Sequence, residues 1–308
     1  MILPTSTGVA RIPHLGVFLN DQPTAFVGWG SKASGRRAQW IARKLHMRSL
    51  ALEDGFLRSV GRSDPPLSLI ADDLGIYYDA SAPSRLEQTI ASPVTHAQRT
   101  RSEALIDAWR TGRVSKYNHA PEYAGPLPDR YVLVVDQTLG DASISRGWAD
   151  ASTFTHMLDA AIAENTDATV LVKVHPDIAT RGKLGHFDIA RIARHPRIVV
   201  LADSAHPTRL IEQAEVVYTV TSQMGFEALI WGRRVRCFGM PFYAGWGLSE
   251  DILRPPARRG AASLAQLVHA ALIALPRYID PQSGQRCEVE VVLRHIAAER
   301  AAAIQRSK

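Results

Sequence analysis

Cysteine is nearly absent: the 308-residue chain has two, Cys237 and Cys287, with no CxxC spacing. That excludes a disulfide scaffold and a thiolate zinc site. A chain of this length buries enough surface to need neither staple. Cys237, in the apolar run Val235-Arg-Cys-Phe238, reads as a buried, inert thiol in a reducing, cytoplasmic setting. Aromatic residues are also few, at 7%, and are not interleaved with a basic stripe, which places nucleic acid last among anionic partners. No apolar run approaches the ~18–20 residues of a membrane span. After Met1 to Pro4 come Thr, Ser and Gly rather than an apolar stretch, so no secretory leader is expected. No HExxH, Walker loop or GxGxxG after a strand occurs, so neither a metal nor a resident cofactor is expected. The nearest acidic pair, Asp72-Asp73, is explained by a turn.

What is present is an ordinary globular mixture, 46% hydrophobic and 21% charged. The net charge of +6 is spread over the chain, with small groups at Arg36-Arg37, Arg233-Arg234 and Arg258-Arg259. Such a surface suits an anionic membrane leaflet or an acidic glycan. From residue 131 onward, strand and helix patterns alternate. Tyr131–Val135, Thr169–Val174, Arg197–Leu201, Val216–Val220 and Val235–Phe238 are continuous apolar, β-branched runs, expected as five strands buried on both faces. Between them the periodicity predicts helices over 149–164 (stripe Phe154, Met157, Leu158, Ile162), 187–194, 207–213 and 225–231. Repeated βα units of this kind imply a parallel, doubly wound sheet. The first part repeats the theme less regularly, with strands over 25–28, 48–52 and 66–70 and helices over 35–44, 84–89 and 97–109.

The expected organisation is α/β: two Rossmann-like domains facing a central cleft, the arrangement of GT-B glycosyltransferases. Residues 1–126 form the N-terminal domain, 127–278 the C-terminal nucleotide-sugar domain, and a helix within 279–308 packs back on the first. Ligands in open α/β sheets bind outside the carboxyl ends of the strands, so those loops carry the candidates.

After the strand 131–135 come Asp136 and Asp141 in a loop with Gly140 and Gly147. Asp141 reads either as a helix cap or as a carboxylate placed to attack, or to stabilise, an oxocarbenium-like sugar centre. After the second strand, Pro176 rigidifies the turn and holds His175 beside Lys173, two cations suited to a phosphate leaving group. After the fourth strand, Ser222 and Gln223 precede a helix whose amino end favours phosphate. Glu227, on that helix's first turn, reads as a ribose ligand or as an offset to the helix dipole. The segment from Gly239 to Gly247, rich in Gly and aromatics, reads as a loop lining the cleft. In the first half, Glu53, Asp54 and Arg58 cluster at another strand end.

These segments match a known pattern. Arg11-Ile-Pro-His-Leu15, Leu52-Glu-Asp-Gly-Phe-Leu-Arg-Ser59, Pro65-Pro-Leu-Ser-Leu69, Gly75-Ile-Tyr-Tyr-Asp-Ala80 and Ser115-Lys-Tyr-Asn118 lie in the first half. Val134-Val-Asp-Gln-Thr138, Val172-Lys-Val-His-Pro-Asp177, Val220 to Leu229 and Cys237 to Gly247 lie in the second. Through nearly its whole length the chain resembles the capsule polysaccharide biosynthesis proteins of the KpsC/KpsS type. The resemblance implies a retaining GT-B enzyme that transfers β-Kdo from CMP-β-Kdo, its donor substrate, without a cofactor. Asp141 is then the nucleophile, forming a covalent Kdo adduct, with Asp136 the fallback. His175 contacts or protonates the CMP leaving group, helped by Lys173 and Pro176; Ser222 and Gln223 hold the phosphate and Glu227 the ribose. Glu53, Asp54 and Arg58 face the acceptor. The implied acceptor is a Kdo-terminated lysophosphatidylglycerol or phosphatidylglycerol glycolipid. Capsule export or assembly proteins and the inner face of the inner membrane are the implied surroundings. KpsC proteins carry two such modules in tandem, and this chain has room for one, read as the N-terminal one. From the residues alone, two other readings stay open: another GT-B CMP- or UDP-sugar enzyme using the same loops, an epimerase among them, and a non-catalytic glycan-binding module.

Overall fold

The computed structural model describes residues 1–175, 182 and 184–306. In chain order the strands are β1 (Ile2–Pro4), β2 (Ala25–Trp29), β3 (Arg48–Asp54), β4 (Ser68–Asp72), β5 (Tyr131–Val135), β6 (Thr169–Lys173), β7 (Ile198–Leu201), β8 (Val216–Thr219), β9 (Arg234–Cys237), β10 (Glu250–Asp251), β11 (Arg277–Ile279) and β12 (Arg286–Cys287). They form two six-stranded sheets, one in each of two compact units. Unit 1 comprises Met1–Tyr77, Ala82–His119 and Ala265–Lys308; unit 2 comprises Tyr78–Ser81 and Ala120–Leu264. The fold class is the α/β, two-Rossmann-like-unit class expected from the sequence.

Unit 2 holds the sheet β7-β6-β5-β8-β9-β10, with every neighbouring pair parallel. Counted from β5, this is the doubly wound order 3-2-1-4-5-6, which reverses direction between β5 and β8. Of its strands β5 and β8 are buried along their whole length, as expected of a sheet covered on both faces, whereas β7 and β9, expected to be buried likewise, each expose part of their length. The helix Ala151–Glu164 is closed at its start by reciprocal bonds between Asp150 and Thr153, at 3.1 Å each way. It buries Phe154, Met157, Leu158 and Ala161 on Val132, Val134, Val170 and Val172. Each such large apolar side chain contributes about 1.5–3 kcal/mol through burial. Ile162, expected on that stripe, is only partly buried. Two expectations need correction. The strand over 235–238 does not close the sheet: Asp251 and Glu250 add a sixth strand, too short and too charged to show in the apolar pattern. The helix expected over 187–194 shrinks to Ile189–Ile192, a single turn with no buried residue.

Unit 1 departs further from the expected repeat. Its order is β1-β2-β3-β4-β11-β12, parallel through β3 and antiparallel beyond. The segment read as a strand over 66–70 runs instead over Ser68–Asp72 and lies antiparallel to β3. Its far edge is covered by β11, which the chain supplies only after completing unit 2. Residues 265–278, assigned by sequence to the second domain, therefore belong to unit 1. The reason is packing: Leu267, Val268, Ala270, Ala271 and Leu272 are fully buried there, and Tyr278 gives its hydroxyl to the Leu272 carbonyl at 2.7 Å. The last helix, Val289–Arg306, lies on the helix His96–Gly112. Arg101 joins them, reaching Glu290 at 2.8 Å and Glu288 at 2.6 Å.

Candidate functional site

In unit 2 the candidates cluster where β8, β5 and β6 end, on both sides of the point where strand order reverses. Asp136 is the first residue past β5 and is 1% exposed. Its Oδ1 accepts the Gln137 N–H at 2.8 Å and the His186 N–H at 3.1 Å, while its Oδ2 is buried with no hydrogen-bond partner. Burial pushes its pKa up to about 6, against those two hydrogen bonds.

The following residues bind the two loops of the switch point together. Gln137 donates to Thr221 Oγ1 at 3.0 Å and accepts the Thr221 N–H at 2.9 Å; Ser143 Oγ lies 3.0 Å from the same hydroxyl. Gly140 turns the loop with φ of 84°, a left-handed conformation that other residues rarely adopt. Asp141 then starts the helix Ala142–Arg146, its Oδ1 accepting the Ser143 N–H at 2.9 Å. The capping role is therefore real, and the carboxylate is also exposed at the carboxyl end of the sheet.

At the end of β6, Lys173 and His175 take different positions. Lys173 is 3% exposed, and its ammonium donates to the Asp203 carbonyl at 2.7 Å and, more loosely, to Val174 at 3.4 Å. Burial lowers its pKa to about 8, with Asp203 opposing. It is a strut beneath the loops of β6 and β7, whereas His175 is half-buried. Pro176 lies outside the described residues.

On the β8 side, the helix runs over Gln223–Ile230, two residues earlier than expected, with Ser222 as its cap accepting the Met224 N–H at 3.3 Å. Glu227 consequently lies past the first turn, is 2% exposed, and accepts from Gln223 Nε2 at 3.2 Å. A carboxylate this buried is not there to balance a helix dipole at the surface. Gly225 is required by a close approach: a Cβ there would meet the Tyr243 hydroxyl at 2.3 Å. That hydroxyl donates to the Ser222 carbonyl at 2.6 Å, and residues 239–246, expected as a loop lining the cleft, are buried throughout and pack under the helix start. Cys237 is fully buried, and burial raises its thiol pKa well above the usual range, as an inert thiol requires.

His186 was not singled out by sequence. Its ring stacks on Phe154 with centroids 3.7 Å apart and an interplanar angle of 5°. Neither ring nitrogen has an aligned hydrogen-bond partner, and burial lowers its pKa, opposed by the nearby Thr138 carbonyl and the Asp141 charge. No sequence signal marks it, because its neighbours are remote in the chain. Gln137 and Thr221 stood inside the quoted motifs and Ser143 just past Asp141, and only the fold shows that they bond to one another. A surface depression lined by Pro128, Asp129, Thr166 and Arg197 lies at the opposite, amino ends of β5 to β7 and takes no part in this constellation.

In unit 1, Glu53 and Asp54 are the last residues of β3. Asp54 Oδ1 lies 3.0 Å from Arg58 Nε, an ion pair not aligned as a hydrogen bond. Glu53 is brought up to a pKa of about 7 by burial, against the charges of Lys116 and Lys32. Among the described residues no group of three His, Cys, Asp or Glu side chains is placed to hold a metal ion, and no helix is long and apolar enough to cross a membrane.

The sequence model of one family, described as capsule polysaccharide biosynthesis protein, matches residues 24–127 and 104–278. The chain belongs to this family. It is 39% identical, over 95% of its length, to the capsule polysaccharide modification protein LipA of Neisseria meningitidis serogroup B, covering 45% of that protein. It is 37% identical, over 92% of its length, to the lipopolysaccharide-processing protein LpsZ of Rhizobium meliloti, covering 66% of it. The chain thus spans between about half and two thirds of these relatives. Two solved structures are similar along nearly the whole chain. The β Kdo 2,4 transferase of Thermosulfurimonas dismutans KpsC is 39% identical, with a TM-score of 0.88, covering 96% of this chain and 97% of that one. The β Kdo 2,7 transferase of the same KpsC is 30% identical, with a TM-score of 0.70, covering 91% and 87%.

Proposed function

We propose that this chain is a retaining β-Kdo transferase module, moving Kdo from CMP-β-Kdo to a Kdo-terminated glycolipid in capsule synthesis. The observation that carries the reading is the 39% identity and 0.88 TM-score to the KpsC β Kdo 2,4 transferase over 96% of the chain. The closer likeness to that structure than to the 2,7 transferase favours a β2,4 product.

In this reading an Asp141 oxygen attacks the anomeric carbon, the bond to the CMP phosphate breaks, and CMP leaves with the electron pair. The acceptor hydroxyl then displaces Asp141 from the same carbon, restoring the original configuration. Asp136, its pKa raised to about 6, anchors the loop that carries Asp141 through the Gln137 N–H. His175 serves the leaving phosphate, with Lys173 supporting its loop from beneath. Ser222 and Gln223 hold the phosphate at the helix start, and Glu227 a ribose hydroxyl. Glu53, Asp54 and Arg58 belong to the acceptor. Among them, Glu53, with a pKa of about 7, suits taking up the acceptor's proton. The acceptor is a Kdo-terminated lysophosphatidylglycerol or phosphatidylglycerol glycolipid, met at the inner membrane surface.

The test is the intact mass of wild type and Asp141→Asn after incubation with CMP-Kdo made in situ and a Kdo-terminated acceptor, with product linkage read by NMR. A β-linked Kdo product from wild type alone, with or without a trapped adduct, is expected. Equal transfer by Asp141→Asn would overturn the nucleophile assignment. Absence of transfer by a folded, CMP-binding wild type would overturn the function.

A further inference from the structure

The net charge of +6, read above as spread over the chain, is local once acidic residues are counted with the basic ones. Between Gln22 and Leu52 six basic residues, Lys32, Arg36, Arg37, Arg43, Lys44 and Arg48, occur without a single acidic one. With 36 basic and 30 acidic residues in all, the rest of the chain balances at 30 of each. The excess therefore sits on one element of unit 1 and its flanks, the helix Ala33–Leu45 between β2 and β3.

That helix is turned the wrong way round for a core element. Its buried residues are the small ones, Gly35, Ala38 and Ala42, while Trp40 is 57% exposed. Residues three and four apart are neighbours on a helix, so Trp40 has Arg36 and Arg37 one turn before it and Arg43 and Lys44 one turn after. All four cations are exposed. Arg36 and Arg37 are held in place by backbone carbonyls, donating to Ser31 at 2.7 Å and Thr5 at 3.1 Å. Among the described residues, the ion pair of this stretch is that of Arg48 with Asp73 at 3.0 Å, beyond the end of the helix. Leu45 and Met47, both exposed, extend the apolar surface past Trp40.

A helix face that meets only water carries both signs of charge and no large apolar side chain. An anionic bilayer asks for the opposite: cations for the headgroup phosphates and an amphipathic ring for the interface. Single-stranded nucleic acid asks for a row of aromatic platforms, and this face has one.

We propose that the helix Ala33–Leu45 docks unit 1 on a bilayer containing anionic phospholipid, with Trp40 at headgroup level and Arg36, Arg37, Arg43 and Lys44 on the phosphates. The docking stands on charge and exposure; its use rests on the transferase reading, in which the acceptor is a lipid-linked sugar. The helix begins just past the carboxyl end of β2, where the Lys32 charge reaches Glu53, so it starts beside the acceptor candidates.

Sedimentation with vesicles tests this, using phosphatidylcholine alone and equal parts of phosphatidylcholine and phosphatidylglycerol. Wild type is expected to prefer the mixed vesicles by about tenfold or more, an advantage that added salt removes. Arg43→Gln combined with Lys44→Gln should weaken that binding about tenfold or more. Trp40→Ala should weaken it by about as much without changing its salt dependence. These side chains are exposed, so the variants should melt with the wild type. Arg191→Gln combined with Arg194→Gln, exposed in unit 2, should bind as the wild type does. Equal binding to both vesicles, no loss in the helix variants, or capture of single-stranded RNA in place of vesicles would overturn the proposal. Transfer to a soluble acceptor without lipid separates the two readings. Vesicle binding without such transfer would sink the transferase reading and leave the docking standing; transfer without vesicle binding would do the reverse.

Discussion

The two sheets are built from strands of similar composition, yet they differ in where the chain finds their neighbours. In unit 2 every strand pairs with one lying within a continuous stretch of chain, and all pairs are parallel. In unit 1 the parallel half is local, but β4 finds its outer partner only at Arg277–Ile279. Local crossovers leave a readable rhythm of apolar runs and helical stripes, whereas a strand recruited from afar leaves none. The same contrast separates the candidate sites. The unit 2 site sits at the reversal of a regular sheet, and the unit 1 site at the point where a regular half gives way to an antiparallel one.

The largest effect should separate the units by chemistry. Asp141→Asn should lower transfer by about 10³-fold or more, as removal of an attacking group does. It should barely move the melting temperature, because Asn caps a helix as well as Asp does. Glu53→Gln, in unit 1, should cost about 10²–10⁴-fold, the range of a proton-transfer group. Equal and complete loss from both would erase the division of labour proposed between the units. Next in size, Tyr278→Ala should destabilise unit 1 by about 3–5 kcal/mol, through a cavity beside the returning strand. Calorimetry with limited proteolysis should then show unit 1 opening while unit 2 stays protected; coincident loss would mean that the units unfold as one.

A smaller effect compares two glycines. At Gly35 in unit 1 a Cβ would meet the Gly30 backbone carbonyl at 1.9 Å, whereas at Gly225 it meets the end of the Tyr243 side chain. Gly35→Ala should therefore exceed the about 1–3 kcal/mol typical of overpacking, and Gly225→Ala should fall within that range. Tyr243→Phe should relieve the second only in part, because the ring carbons at 2.6 and 2.8 Å remain, and should leave the first unchanged. Urea unfolding midpoints decide it.

The smallest effect is in pH. Glu53 has its folded pKa raised from 4.5 to about 7, so its contribution to stability is present below pH 4.5 and is lost as pH rises through 7. Because Glu53 keeps some contact with solvent, this is held to about 1 kcal/mol. Asp136 acts in the same direction between 3.8 and about 6. Melting curves against pH should flatten in the upper window for Glu53→Gln and in the lower one for Asp136→Asn.

Much of this was legible in the sequence. The run 131–135 gave its strand with correct ends because β-branched residues buried on both faces have no other stable arrangement. The motif loops after β5, β6 and β8 were found because strand ends are where function collects in such sheets. What stayed hidden was pairing across distance. Arg286–Cys287 is too short to show a period, and the charged Glu250–Asp251 looks like a turn. The bonds from Gln137 to Thr221 and the stack of His186 on Phe154 join residues that no spacing rule connects. Glu227 was placed on the first turn because the helix was expected to begin at 225, whereas it begins at Gln223.

The late arrival of β11 also sets an order of events on the ribosome. At about 5–20 residues per second, the 205 residues from Asp72 to Arg277 (277 − 72) take roughly 10–40 s to emerge. During that interval unit 2 can finish folding, while β4, buried along its whole length once complete, waits with one edge bare. The nascent chain therefore passes through a window in which its first unit is adhesive and its second is not. Slowing translation beyond residue 265 should lengthen the exposure, and holding chaperones should favour the amino-terminal third of the chain.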